Sequence, residues 1–113
     1  MSGITTHVLD TALGHPAAGV PVTLERQISP GEWQLIGRGE TDADGRLRTL
    51  TPDAPPLPGT YRLQFDTRRY FEPRGTRAFY AAVVVMFEVT AAESHYHVPL
   101  LLSPFGYTTY RGS

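Results

Sequence analysis

Short stretches with alternating residue character recur along the chain, separated by glycine and proline. In residues 20–26, VPVTLER, the apolar Val20, Val22 and Leu24 fall on one face of an extended strand. The same period of two appears in residues 60–67, TYRLQFDT. Because successive side chains point to opposite faces of a strand, this pattern predicts strands with one buried face.

Further runs of the same kind bring the predicted total to seven or eight strands, which favours a predominantly antiparallel β-sandwich. Residues 67–75, TRRYFEPRG, are too polar and irregular for a strand and predict one short helix. The run at 81–90 is the longest strand candidate, and apolar residues on both of its faces predict partial cover on both sides. The remaining strand candidates are residues 4–10, 33–39, 95–102 and 107–110.

The totals describe an ordinary globular chain. Its 113 residues predict a single domain, 1–113, with 41% hydrophobic and 19% charged residues. A net charge of −1 without a basic stripe argues against a nucleic-acid partner. The absence of cysteine favours a reducing compartment, and the longest apolar stretch, Ala81–Phe87, is too short to cross a membrane. We therefore expect a cytoplasmic protein with no membrane partner.

Histidine is the first candidate for chemistry. His95 and His97 are two apart on a predicted strand, so they share one face at a spacing of about 6.6 Å. His7 lies in the first strand, whereas His15 lies in a turn and is expected to be solvated. Three interpretations remain open: ordinary packed histidines, a three-histidine zinc site that includes His7, and a metal-free acid/base site in which arginine supports an oxyanion.

The last residues, YRGS, are a second candidate. Termini usually fray, but Tyr107 and Tyr110 are large groups that prefer burial, and Gly112 allows a close backbone approach. Ser113 offers a hydroxyl group, and a serine–histidine nucleophile pair is conceivable. No G-x-S-x-G motif supports that pair.

Motifs along the whole chain resemble those of one protein family. They are THVLDTALGHPAAGVPVTLER, TDADGR, RRYFEPRGTRAFYAAVVVMFEVT and the closing HYHVPLLLSPFGYTTYRGS. With them the chain closely resembles the transthyretin-related proteins, and among these the branch of 5-hydroxyisourate hydrolases. The combination of HYHVPLLLSP with a closing YRGS marks that branch.

The resemblance implies a transthyretin-like antiparallel β-sandwich of two four-stranded sheets with one short helix. It implies a homotetramer, a dimer of dimers, with active sites in the channel between dimers. The implied reaction is hydrolysis of 5-hydroxyisourate to 2-oxo-4-hydroxy-4-carboxy-5-ureidoimidazoline in urate degradation, with neither a metal nor another cofactor.

The family's site residues can be carried over position by position. The implied catalytic set is His7 of THVLD, Arg46 of DADGR, His97 of HYHVP and Ser113 of YRGS. Substrate binding is implied for His7, Arg46, Tyr110 and Arg111, and no residue is implied as a metal ligand. His95 matches the motif but is not usually counted in the catalytic set. Which of His7 and His97 activates water is left open by the sequence.

The alternative is the sister branch, transthyretin, a carrier of thyroid hormone without catalysis. The resemblance separates the branches at three positions. Transthyretin has Lys in the place of His7, Glu in the place of Arg46 and Thr in the place of His97. Two imidazoles and a guanidinium suit a polar, anionic purine derivative better than a hydrophobic hormone, so hydrolysis is the expected function.

Overall fold

The computed structural model describes residues 3–113, which form nine strands, one α-helix and one 3₁₀ turn. The strands are β1 (Gly3–Asp10), β2 (His15–Pro16), β3 (Pro21–Ser29), β4 (Glu32–Glu40), β5 (Arg46–Leu47), β6 (Gly59–Phe65), β7 (Val83–Val89), β8 (His95–Ser103) and β9 (Gly106–Thr109). The helix α1 (Thr67–Phe71) continues into the 3₁₀ turn Glu72–Arg74. None of the helices in this described range is both long and apolar enough to span a bilayer.

The strands form two sheets, which confirms the predicted sandwich. One sheet has the order β4-β3-β6-β7 and is antiparallel throughout. The other has the order β2-β1-β8-β9, and the two-residue strand β5 also pairs with β1, which makes five strands where four were expected. The pair β1–β8 is parallel, and the other pairs of this sheet are antiparallel.

The core lies between the sheets and follows the alternation in the sequence. The inward face expected for residues 20–26 is confirmed, because Val20, Val22 and Leu24 are buried. In β6 the inward residues Tyr61, Leu63 and Phe65 are buried as well. Burial of such large apolar side chains contributes about 1.5–3 kcal/mol each, so these two central strands stabilise the sandwich.

The five-stranded sheet divides its side chains between the core and an outer face. Ile4 and Val8 of β1, with Leu100 and Leu102 of β8, are buried in the core. Because side chains alternate along a strand, Thr5 and His7 of β1 and His97 of β8 point to the outer face. That outer face carries the polar residues considered below.

The predicted short helix is confirmed in residues 67–71. Asp66 caps its first turn, because Oδ1 accepts a hydrogen bond from the backbone N–H of Arg69 at 3.3 Å. The buried Tyr70 donates its hydroxyl proton to Asp10 Oδ2 at 2.7 Å. This bond fastens the helix to the end of β1.

Strand β7 differs from the expectation for residues 81–90. It has seven residues, fewer than the nine of β3, β4 and β8, and lies at the edge of its sheet. Val84 is 45% and Met86 58% exposed, so the protomer covers only one face of this strand. The expectation was wrong because a continuous apolar run does not distinguish a central strand from an edge strand that presents an apolar surface.

A matched pair of leucines tests this assignment of the core. Leu63 is completely buried, whereas Leu57 is 68% exposed. We expect Leu63→Ala to lower the free energy of unfolding by about 2–5 kcal/mol through lost contacts and a cavity. Leu57→Ala should stay within about 0.5 kcal/mol of the parent. Urea unfolding measures both, and equal losses would contradict the assigned core.

Candidate functional site

Strand register brings the candidate residues together on the outer face of the five-stranded sheet. Thr5 of β1 lies opposite His97 of β8 in the parallel ladder. On the other side of β1, His7 lies opposite Arg46 of β5. Since residues paired across a ladder point to the same face, Thr5, His7, Arg46 and His97 all face outward.

The turn before β5 fixes the position of Arg46. Asp42 Oδ1 accepts hydrogen bonds from the backbone N–H groups of Asp44 at 2.8 Å and Arg46 at 3.0 Å. The hydrogen bond from the Arg46 backbone is the main reason that the pKa of Asp42 is lowered. Gly45 has a φ of 74°, and a Cβ on it would lie 2.4 Å from the carbonyl oxygen of Val8. Only glycine therefore allows this turn to approach β1 so closely.

The chain turns after β8 and returns as β9, which carries Ser113 to His97. The backbone N–H of Gly112 donates to the carbonyl oxygen of His97 at 2.8 Å. A Cβ on Gly112 would lie 2.7 Å from Cδ2 of His97, so the predicted close approach is confirmed. The expected burial of two tyrosines was wrong, since Tyr107 is 41% and Tyr110 55% exposed in the protomer.

Two cavities meet at His97 and Ser113. We name the first the His7 cavity; it has a volume of about 330 Å³ and is also lined by His7, Leu9, Pro99, Leu101, Tyr110 and Gly112. We name the second the arginine cavity; it has a volume of about 210 Å³ and is also lined by Thr5, Thr6, Arg46, Arg48 and His95. His97 and Ser113 thus stand between an apolar-walled space and a cationic one.

His97 is held by a hydrogen bond and by its charged surroundings. Its Nδ1 lies 2.8 Å from the hydroxyl oxygen of Thr5, which is itself buried. Partial burial lowers the pKa of the His97 imidazole, and the positive charges of Arg46, His7, His95 and Arg48 lower it further. The imidazole is therefore neutral at pH 7 and able to accept a proton.

His95 stands beside His97 with a nearly parallel ring. The ring centroids are 6.4 Å apart and the planes differ by 14°. Nδ1 of His95 is buried and has no hydrogen-bond partner within residues 3–113. In that range no three His, Cys, Asp or Glu side chains are grouped so that they could share a metal ion, so the geometry gives the zinc interpretation no support.

Two residues that were discussed from the sequence, Arg111 and His15, lie outside these cavities. The Arg111 guanidinium is 3.6 Å from a carboxylate oxygen of Glu93 and stacks over the ring of Tyr96 at 4.8 Å. His15 lies at the start of β2, where its Nδ1 contacts the carbonyl oxygen of Pro16.

Sequence reasoning missed two residues that the site contains. Thr5 lies two positions before His7, and Arg48 two positions after Arg46. The period of two places each of them on the same face as its neighbour, so the alternation carried a signal for both.

Comparison with known proteins places the chain among relatives with two kinds of function. The sequence profile of the HIUase/Transthyretin family matches residues 4–112. A 5-hydroxyisourate hydrolase of Mus musculus is 49% identical over 113 residues, covering 99% of this chain and 96% of that protein. A structure of Klebsiella pneumoniae 5-hydroxyisourate hydrolase has a TM-score of 0.86 at 37% identity, with both chains covered completely.

A relative that binds thyroxine shares the same fold. Sea bream transthyretin in complex with thyroxine has a TM-score of 0.88 at 34% identity, covering 96% of this chain and 93% of that one. The two TM-scores are nearly equal. The fold is thus common to both kinds of relative, and the choice between them depends on side chains.

The contact between Gly112 and His97 can be tested without an activity assay. In Gly112→Ala the new methyl group collides with the imidazole, so the hydrogen bond to the His97 carbonyl should weaken. We expect exchange of the residue-112 amide proton to accelerate at least about tenfold, as measured by NMR hydrogen exchange. Gly106→Ala is the control, because its Cβ would meet only Ser103 Oγ at 3.7 Å. Unchanged protection at residue 112 would contradict the placement of the terminal segment.

Proposed function

The chain belongs to the HIUase/Transthyretin family, and on that premise we propose that it hydrolyses 5-hydroxyisourate to 2-oxo-4-hydroxy-4-carboxy-5-ureidoimidazoline. The observation that carries the proposal is the convergence of His7, Arg46, His97 and Ser113 on two adjoining cavities. Relatives that bear the hydrolase name match nearly the full length of the chain.

The reaction opens an electron-poor ring at an amide-like C–N bond. The oxygen of water bonds to the carbonyl carbon, and the carbonyl oxygen carries negative charge in the tetrahedral intermediate. The C–N bond then breaks, the nitrogen takes a proton, and the former carbonyl carbon becomes a carboxylate. The site must therefore remove a proton from water, stabilise an oxyanion and protonate the leaving nitrogen.

We assign removal of the water proton to His97. Its lowered pKa keeps the imidazole neutral at pH 7. When Nδ1–H donates to the Thr5 hydroxyl group, the lone pair of Nε2 is free to accept the proton of water. The Thr5 contact also holds the ring in one orientation, which general-base catalysis requires. A base of this kind contributes about 10²–10⁴-fold to the rate.

The other members of the set supply charge and proton transfer. We assign the oxyanion to Arg46, whose planar guanidinium can donate two parallel hydrogen bonds. We assign protonation of the leaving nitrogen to His7, which lines the His7 cavity. Ser113 lies between the cavities and can orient the water. Tyr110 lines the His7 cavity as a wall for the substrate ring. No step requires a metal or another cofactor.

The assembly and location are part of the same proposal. We propose one domain, 1–113, that acts in the cytoplasm as a homotetramer, a dimer of dimers. Both cavities lie open on the outer face of a sheet, and a second dimer would enclose them. The exposed Val84 and Met86 on the edge strand β7 also favour association, because exposed apolar patches mark interfaces. Arg111 would then join the substrate site only through the assembly.

The carrier alternative fits the fold but not the side chains. The arginine cavity carries two guanidinium groups and two imidazoles. The large iodinated rings of thyroxine would desolvate these groups and offer too few hydrogen-bond acceptors for all four of them, which costs free energy. Binding of thyroxine without turnover of 5-hydroxyisourate would favour the carrier.

The decisive assay generates 5-hydroxyisourate from urate with an oxidase and follows its decay optically in the presence of a metal chelator. We expect the protein to accelerate the decay. His97→Asn and Arg46→Glu should each lower kcat/KM by at least about 10²-fold, or roughly 2.7 kcal/mol. His15→Asn, outside both cavities, should change little. Equal losses of kcat/KM in all three variants, together with lowered melting temperatures, would mean that the substitutions damage the structure. An inactive parent protein would refute the proposed function.

The lowered pKa of His97 predicts the dependence of the rate on pH. The base works when neutral, so kcat/KM should fall in acid as His97 becomes protonated. The midpoint of that acidic limb should lie below about 6.5, the usual pKa of histidine. A melting temperature measured at each pH controls for unfolding. An acidic limb centred above about 6.5 would exclude His97 as the base.

A further inference from the structure

Arg48 lines the arginine cavity together with Arg46. It follows β5 directly, two residues after Arg46, and the intervening Leu47 is buried toward the core. Both guanidinium groups line the cavity that holds His95 and His97. Arg48 is exposed, whereas Arg46 is half-buried.

Neither guanidinium group has an anionic partner in the part of the chain that the structure describes. Within residues 3–113, the side chains of Arg46 and Arg48 make no ion pair or hydrogen bond. The backbone N–H of Arg46 is the main cause of the lowered pKa of Asp42, and the charges of Arg48 and Arg46 lower that pKa further, but Asp42 forms no ion pair with either guanidinium group. The cavity therefore concentrates positive charge, and no acidic side chain among residues 3–113 forms an ion pair with it.

We propose that Arg48 is a specificity-determining residue that binds the anionic, oxygen-bearing end of the substrate; this inference rests on the proposed hydrolase function. Two adjacent guanidinium groups suit a ligand that presents negative charge or paired oxygen atoms at one end. 5-Hydroxyisourate has such an end, since it is a polar anion with carbonyl oxygens on its ring. A neutral purine of the same shape gains less from Arg48.

The two arginines have different tasks because they differ in exposure. The half-buried Arg46 lies beside His7 and close to the reacting carbonyl, where charge develops in the transition state. The exposed Arg48 meets the substrate at the mouth of the cavity and retains solvent around its guanidinium. Its contact is therefore made equally in the ground state and the transition state, so its loss should raise KM with little change in kcat.

Arg48→Gln, Arg48→Lys and the control Arg38→Gln test the proposal. Arg38 lies on β4 in the other sheet, is exposed and makes no ion pair among the described residues, so its replacement removes the same charge elsewhere. We expect Arg48→Gln to raise KM about tenfold with kcat within about twofold. Arg48→Lys should restore part of the loss, because the charge returns without the planar fork. Arg38→Gln should match the parent.

A binding experiment separates this inference from the hydrolase function. Calorimetric titration with urate, an anion at neutral pH, and with hypoxanthine, which is neutral, needs no turnover. Arg48→Gln should weaken urate binding about tenfold and leave hypoxanthine binding unchanged. The role of Arg48 alone would be overturned by the following result: the parent turns over 5-hydroxyisourate, but Arg48→Gln has the same KM and the same affinity for urate as Arg38→Gln. An inactive parent whose urate binding depends on Arg48 would refute the hydrolase and support the anion site.

Discussion

The parallel ladder between β1 and β8 is the constraint on which the site depends. It pairs residues 3–10 with residues 95–102 and places Thr5 beside His97. The other edge of β1 receives β5 and with it Arg46 beside His7. The other edge of β8 receives β9, whose continuation brings Ser113 to His97. Distant parts of the sequence therefore meet because each pairs with one of two central strands, whose inner faces are held by the core.

The sequence was sufficient for the fold class and for much of the core. Alternation predicted the buried faces of residues 20–26 and of β6, because a strand with one solvent-facing side has to alternate. The polar run at 67–75 predicted the helix. The local pattern of residues could not predict features that depend on which strands pair with each other. It did not show that β1 and β8 are parallel or that β5 exists, and it did not show that β7 is an edge strand with Val84 and Met86 exposed.

The candidate site could be predicted mainly through the resemblance to a family. Histidine spacing alone left a zinc site and a metal-free site open. The spacing of two shows that His95 and His97 share a strand face, but it does not give their distance to His7. Thr5 and Arg48 were missed because neither residue type is unusual on a strand or in a turn. Their place in the site appears only when register brings Thr5 to Nδ1 of His97 and Arg48 to a cavity that no acidic side chain lines. Arg111 is the opposite case: the motif named it as a substrate-binding residue, but in the protomer it lies against Glu93 and Tyr96, outside both cavities.

Charge and hydrogen bonding act together on His97. Partial burial lowers the pKa of this imidazole, the positive charges around it lower the pKa further, and the Thr5 hydroxyl group lies 2.8 Å from Nδ1. The central claim is that a neutral His97 with its proton on Nδ1 activates water. The most direct measurement is a nitrogen-15 NMR titration of the histidine rings. The account predicts that His97 titrates below pH 6.5 and carries its proton on Nδ1 when neutral. A His97 that is protonated at pH 7, or that carries its neutral-state proton on Nε2, would contradict it.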